Sequence, residues 1–194
     1  SAWVNTWALE RGGVTRETPN PPPDGIIVRT ADGDAQGTLR ERAMDLVAAA
    51  VPPPTDAEVR AGLERGLELA RSVGVTTLHD ATADEASLAA YAEAERDGRL
   101  TARVIAALPV DSDRGVDQVP ELEALRERYQ GRLLRPAAAK IFLDGVIESG
   151  TAALLEPYLD RPASRGELAL PPDSLNALVS ALDAAGFKIH VHAM

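Results

Sequence analysis

Along residues 55–194, segments with the hydrophobic pattern of strands alternate with segments that have the hydrophobic pattern of helices. Short runs rich in Val, Ile and Leu indicate strands, and apolar residues three or four positions apart indicate helices. Candidate capping boxes at 55–58 and 82–85 mark two helix starts, and Gly74 and Gly98 mark two helix ends. The predicted strands are 75–80, 103–108, 138–143 and 188–192, and the predicted helices are 55–74, 82–98, 120–129 and 172–185.

This strand, helix, strand order predicts an α/β fold with a parallel sheet. The helical connections between its strands are expected to be right-handed crossovers. The preceding residues are less regular. Their pattern predicts a helix over 2–9, a stiff proline-rich loop over 19–25 and a helix over 42–51. Residues 26–29 and 38–40 flank a turn and predict a small hairpin.

Composition narrows the functional class. The formal net charge of -10 and the lack of a basic stripe argue against nucleic acid or an anionic membrane as partner, and favour a small-molecule substrate. With no cysteine, a metal would be held by histidine, carboxylate or modified lysine. No membrane-spanning run or signal peptide is visible, and we expect a cytoplasmic protein. The chain starts at Ser1 and ends at Met194 within a strand-like stretch, so we expect it to be a piece of a longer protein.

Lys140 is the first candidate for chemistry. It is one of only two lysines, against eighteen arginines, and it lies in the apolar run 137–143. Burial would lower its pKa and leave an amine able to act as nucleophile or base, or to capture CO2 and become an anionic metal ligand. The alternative is a lysine at the end of an edge strand whose amine reaches water.

Polar residues also follow the predicted strands, where parallel sheets carry their chemistry. Period two places Lys140 and Asp144 on one face of their strand, and His190 and His192 on one face of theirs. Alternating histidines are a common metal-ligand spacing, but a core histidine, a turn aspartate or a solvent-facing pair stays open. His79 and Asp80 end another strand, and no glycine-rich nucleotide loop follows any strand.

Four stretches resemble one family. Residues 139–158 resemble the lysine segment of the family 3 amidohydrolases, the group that contains N-substituted formamide deformylases. Residues 2–9 are similar to the family's opening motif, 74–80 to its next strand and 191–194 to its histidine strand. The resemblance covers essentially the whole chain and is most specific at the lysine segment.

The resemblance implies part of a metal-dependent hydrolase TIM (β/α)8 barrel, strands two to five, with a short N-terminal insertion. Residues 1–54 would be an irregular insertion segment with a helix and small hairpin, and 55–194 a partial barrel incomplete at both ends. Lys140, carboxylated, and His192 would bind one or two divalent ions, expected to be zinc. The superfamily's His-x-His pair, its further histidine and its aspartate, the general base, have no counterpart here.

The implied activity is hydrolysis of an amide-like, non-peptide C-N bond, with the fragment inactive alone. We expect Asp144 to orient the ligands, and Trp3, Asn5, His79 and Asp80 to line the substrate pocket. Two alternatives stay open: a lyase that forms a Schiff base on Lys140, and a non-catalytic half-barrel. A homo-oligomer is also left open.

Overall fold

The computed structural model describes residues 1–21 and 25–194. Part of the predicted proline-rich loop, residues 22–24, lies outside the described residues. Within the described chain, no helix is long and apolar enough to cross a membrane. Contacts between Cα atoms divide the chain into two compact units. Unit 1 comprises 1–53, 145–167 and Met194, and unit 2 comprises 54–144 and 168–193.

The elements of the first segment of unit 1 are β1 (Ala2–Trp3), α1 (Thr6–Arg11), β2 (Ile26–Arg29), β3 (Ala35–Arg40), a 3-10 helix (Glu41–Met44) and α2 (Asp45–Ala48). The three strands form an antiparallel sheet in the order β1-β3-β2. The predicted hairpin is confirmed, because β2 pairs antiparallel with β3. The predicted helix over 2–9 is wrong at its start, since Ala2 and Trp3 pair with β3 and the helix begins only after Asn5.

The second segment of unit 1, residues 145–167, follows the lysine strand in sequence and has little regular structure beyond a 3-10 helix at Ile147–Ser149. The sequence division had assigned this segment to the partial barrel. Side-chain hydrogen bonds join it to the first segment of its unit: Ser149 Oγ donates to Glu41 Oε1 at 2.9 Å, and Arg40 Nη1 donates to the Ser149 carbonyl at 3.3 Å. Glu41 adopts φ +46°, a left-handed conformation uncommon for a non-glycine residue.

The elements of unit 2 are α3 (Asp56–Ser72), β4 (Thr77–Asp80), α4 (Glu85–Arg96), β5 (Arg103–Pro109), a 3-10 helix (Val116–Gln118), α5 (Val119–Tyr129), β6 (Leu134–Phe142), α6 (Pro172–Ala184) and β7 (Lys188–His192). The four strands form a sheet in the order β4-β5-β6-β7, and every neighbouring pair is parallel. The predicted α/β class and parallel sheet are therefore confirmed.

Side-chain caps fix where α3 and α4 begin. Thr55 and Glu58 form the predicted capping box at the start of α3. The second predicted box is wrong: Asp84, not Thr82, caps α4, and its Oδ1 accepts a hydrogen bond from the Ser87 amide at 2.8 Å. The short carboxylate satisfies an amide that the first helical turn leaves unpaired.

The core of unit 2 lies on one face of its sheet. Val104, Leu108 and Ile141 are fully buried there, packed with residues of the helices such as Leu88 and Leu178. Because side chains alternate along a strand, the intervening residues point to the opposite face. The helices therefore cover one face, and the other carries the candidate site.

Candidate functional site

The sheet of unit 2 curls so that its uncovered face is concave. β4 and β7 are separated by two strands, which in a flat sheet places them about 14 Å apart with parallel side chains. Yet the His79 ring on β4 and the His190 ring on β7 lie 5.0 Å apart between centroids. The side chains of the two outer strands must therefore point towards each other, as in a half-barrel.

Lys140 lies on this concave face, with only 5% of its surface exposed. It is in register with His190 on β7, and its Nζ is 4.5 Å from the centre of the Phe142 ring. Burial lowers the pKa of its amine. Within the described chain, the Lys140 ammonium group makes no ion pair or hydrogen bond that would compensate for its loss of hydration. The structure therefore confirms the sequence expectation of a buried lysine.

His190 is the neighbour that the sequence argument left out of the predicted ligand set. Its Nδ1 is buried and has no hydrogen-bond partner among the described residues. Burial, and then the charges of Lys140 and His79, lower its pKa, so the imidazole is neutral at neutral pH. A buried imidazole nitrogen without a partner can bind a metal through its lone pair, or donate a hydrogen bond if it carries the proton.

His192, the predicted metal ligand, lies one step further along β7. It is in register with Phe142, and the two rings are 5.8 Å apart between centroids. Period two places it on the same face as His190, and therefore on the same face as Lys140. Asp144 follows the end of β6 by two residues. The roles of His192 as a ligand and of Asp144 as its orienting partner stay predictions.

Asp80 points away from this face. Its Oδ2 accepts a hydrogen bond from the Tyr91 hydroxyl of α4 at 3.1 Å, and its Oδ1 accepts one from the Thr82 amide at 3.2 Å. Burial and the Asp80 charge raise the pKa of Tyr91 to about 12. The expectation that Asp80 lines the same pocket as His79 is corrected, because neighbouring strand residues point to opposite faces.

Trp3 and Asn5 belong to unit 1. Trp3 is 90% exposed. Asn5 is the N-cap of α1, and its Oδ1 accepts a hydrogen bond from the Ala8 amide at 2.9 Å. This contact explains Asn5 without a substrate, since N-caps of this kind stabilise helix starts. A substrate-lining role for either residue stays a prediction.

A cavity of about 420 Å³ opens on the concave face, and its lining includes His79, Ile105, Ala138, Lys188 and His190. Lys188 is in register with Ala138 and shares its face of the sheet. Both lysines and all three histidines of the chain therefore occupy concave positions.

The described residues contain no cluster of three or more His, Cys, Asp or Glu side chains able to hold a metal. What the concave face offers instead is a lysine amine, the orphaned Nδ1 of His190 and further imidazoles. This donor set fits part of a metal site if the amine becomes an oxygen ligand, since carboxylate and imidazole are ordinary zinc ligands. It does not by itself complete a coordination shell.

Comparisons with known proteins show the family of the chain. The chain is 31% identical to the "Putative amidohydrolase YtcJ" of Bacillus subtilis over 196 residues, which cover 98% of the chain and 36% of that protein. It is 29% identical to the "Exoenzymes regulatory protein AepA" of Pectobacterium carotovorum, covering 100% of the chain and 42% of that protein. The chain thus spans about two fifths or less of these relatives.

Among solved structures, an uncharacterized metal-dependent hydrolase from Pyrococcus furiosus matches with a TM-score of 0.64 and 26% identity, over 98% of this chain and 37% of that one. A second, from Pyrococcus horikoshii, matches with a TM-score of 0.64 and 22% identity, over 98% of this chain and 36% of that one, and it supports the fold alone. The family model described as "Amidohydrolase family" matches residues 1–194. The chain therefore belongs to the amidohydrolase family.

Proposed function

We propose that this chain supplies the lysine part of the active site of a metal-dependent hydrolase that cleaves amide-like, non-peptide C-N bonds in a small molecule. The observation that carries the proposal is Lys140: a buried amine of lowered pKa, in register with an imidazole whose Nδ1 has no hydrogen-bond partner among the described residues. Titratable groups whose pKa values are shifted and that lie at a cavity are typical of active sites. Family membership and the metal-dependent hydrolase neighbours support the reaction class.

The chemistry of Lys140 begins with its protonation state. Because burial lowers the pKa of the amine, its neutral form is more populated than in a surface lysine. Nζ then forms a bond to the carbon of CO2 and loses a proton, which gives an anionic carbamate. The Phe142 ring at 4.5 Å covers the amine and limits its contact with water.

The residues that would hold a divalent ion, expected to be zinc, are carboxylated Lys140 together with His192 and His190 Nδ1. When bound, such an ion lowers the pKa of a water molecule and polarises a substrate carbonyl. His190 is suited to this role because its lowered pKa keeps the imidazole neutral. We propose that the other ligands and the general base are outside these 194 residues, and that the chain alone does not turn over substrate.

The test is metal binding with and without the lysine. The wild-type chain, incubated with zinc and bicarbonate and desalted, should retain zinc by mass spectrometry and show a carbamate signal with 13C-labelled bicarbonate. Lys140→Met should lose the carbamate signal and most of the zinc. The matched control is Arg65→Gln, which removes an exposed charge on α3. Equal zinc retention by wild type and Lys140→Met would refute the role of the lysine.

One alternative keeps specific support. A buried lysine of lowered pKa is also the nucleophile that a Schiff-base lyase needs. Borohydride with a panel of small carbonyl compounds separates the two activities: a lyase is trapped covalently on Lys140 without metal, whereas a carboxylated lysine is not. A non-catalytic half-barrel would give neither the trapped adduct nor stoichiometric zinc.

We also propose a cytoplasmic location and self-association of the chain. Within the described residues, β4 and β7 each have a strand neighbour on one side only. Their outer edges carry unpaired backbone groups, which favour pairing with another strand. Light scattering should detect species larger than a monomer, and a monodisperse monomer with a cooperative melt would refute the self-association.

A further inference from the structure

The amino-terminal half of the concave face carries a concentration of positive charge that the lysine site does not use. The chain as a whole is acidic, with 30 Asp and Glu against 20 Lys and Arg. Yet three exposed cations, Arg103, Arg135 and Lys188, lie at the starts of three adjacent strands. Such local reversal of the overall charge sign is a feature of ligand-binding surfaces.

The strand registers place all three cations on the concave side. Arg103 is in register with Thr77, and its Nε donates to Thr77 Oγ1 at 3.3 Å. Thr77 lies two residues before His79, whose ring meets His190 across the concave face. Period two therefore directs Thr77, and Arg103 beside it, to the same side.

Arg135 and Lys188 follow by the same argument. Arg135 is in register with Ile105, which lines the concave cavity. Lys188 lines the cavity directly, two residues before His190 on β7. A bulge in β6 shifts the register between Arg135 and Ala138, so that both residues reach the concave side.

Among the residues that the structure describes, no carboxylate neutralises these three cations. None of the concave positions of β4 to β7, all of which the structure describes, is an aspartate or glutamate. The one acidic residue in these strands, Asp80, bonds Tyr91 on the helix-covered side. Among the described residues, Arg103, Arg135 and Lys188 form no ion pair.

We propose that Arg103, Arg135 and Lys188 form a binding site for a small oxyanion, phosphate or carboxylate, at the amino-terminal end of the concave face. The adjoining cavity of about 420 Å³ has room for such a group, and Thr77 supplies a hydroxyl beside the arginine. Guanidinium groups bind oxyanions through paired N-H donors, and the ammonium of Lys188 adds a third donor group. The site lies at the opposite end of the strands from His192 and needs no metal.

Equilibrium dialysis of the metal-free 194-residue chain against radiolabelled inorganic phosphate at low ionic strength tests the proposal. Chelator keeps the lysine site empty of metal, so that the result is independent of the proposed hydrolase activity. We expect saturable binding of one phosphate per chain, weakened at least ~10-fold in the double variant Arg135→Gln/Lys188→Gln, because two of three charge-assisted contacts are lost. Competition with acetate distinguishes the ligand type: displacement at similar concentration assigns a carboxylate, and weak displacement assigns a phosphate.

The matched control is Arg65→Gln/Arg71→Gln, which removes the same number of charges from exposed positions on α3. This control should bind phosphate as the wild type does. All the substitutions are at exposed positions, and circular dichroism melts verify that the variants fold. If the double variant does not fold, the single variants Arg135→Gln and Lys188→Gln are used for the binding measurement instead. Equal loss in both double variants, unaffected binding in the concave variant, or no saturable binding to the wild type would overturn the proposal.

Discussion

The two faces of the parallel sheet in unit 2 are built from the same strands but follow opposite chemical rules. On the helix-covered face, Val104, Leu108 and Ile141 are fully buried among apolar side chains. On the concave face, Lys140 is nearly as buried but has no charged partner among the described residues, and His190 Nδ1 lacks a hydrogen bond. Burial therefore stabilises the fold on one face and perturbs titratable groups on the other.

The strongest test of this comparison is a pair of neighbours on β6. Ile141→Ala should lower the free energy of unfolding by about 2–5 kcal/mol, because it leaves a cavity in the helix-covered core. Phe142→Ala, one residue later on the concave face, should cost less than about 1 kcal/mol, because its side chain is already 47% exposed. Urea unfolding measures both, and similar losses would show that the faces do not differ as described.

Lys140→Met should change the free energy of unfolding in the opposite direction to Ile141→Ala. Methionine retains much of the side-chain volume and removes an amine that is buried with no ion pair or hydrogen bond among the described residues. We therefore expect the free energy of unfolding to stay the same or to rise by roughly up to 2 kcal/mol. The same variant should lose zinc binding. A marked drop in stability would indicate that the ammonium makes a stabilising interaction, and the lysine would then be structural.

Tyr91→Phe tests a carboxylate contact on the helix-covered side of the sheet. The Tyr91 hydroxyl donates to Asp80 at 3.1 Å, and its removal should cost about 1 kcal/mol, since it deletes one hydrogen bond to a charged group that keeps other partners. Zinc and phosphate binding should not change. If zinc binding or phosphate binding falls while the free energy of unfolding is preserved, Asp80 influences the concave face, contrary to this description.

The smallest effect concerns pH. The pKa of His190 is lowered in the folded chain, so between its folded value and its ordinary value of about 6.5 the unfolded chain binds more protons. Stability is therefore full above about pH 6.5 and falls as the pH drops towards the folded value. His190→Gln should flatten this part of a stability profile measured by urea unfolding, and an unchanged slope would exclude His190 as its source.

The comparison of faces also explains which parts of the fold were predictable. Period two assigned Lys140 to one side of β6, and the register in the structure agrees. The predicted strand 138–143 begins later than β6, which starts at Leu134 and contains Pro136, a residue that interior strands disfavour. The structure accommodates the proline at a bulge, where three steps along β6 oppose two along β5. At α4 the sequence pattern predicted a cap at Thr82, and only the geometry of the chain shows that Asp84 caps the helix.

The site divides in the same way. The sequence by itself determined that a lysine and two alternating histidines end parallel strands, because strand order, helix caps and side-chain alternation are local properties. Only the tertiary structure decided that His79 meets His190 across two intervening strands, that Asp80 turns to Tyr91, and that Lys188 joins the concave face. These outcomes depend on sheet curl and strand register, which arise from contacts between residues far apart in sequence.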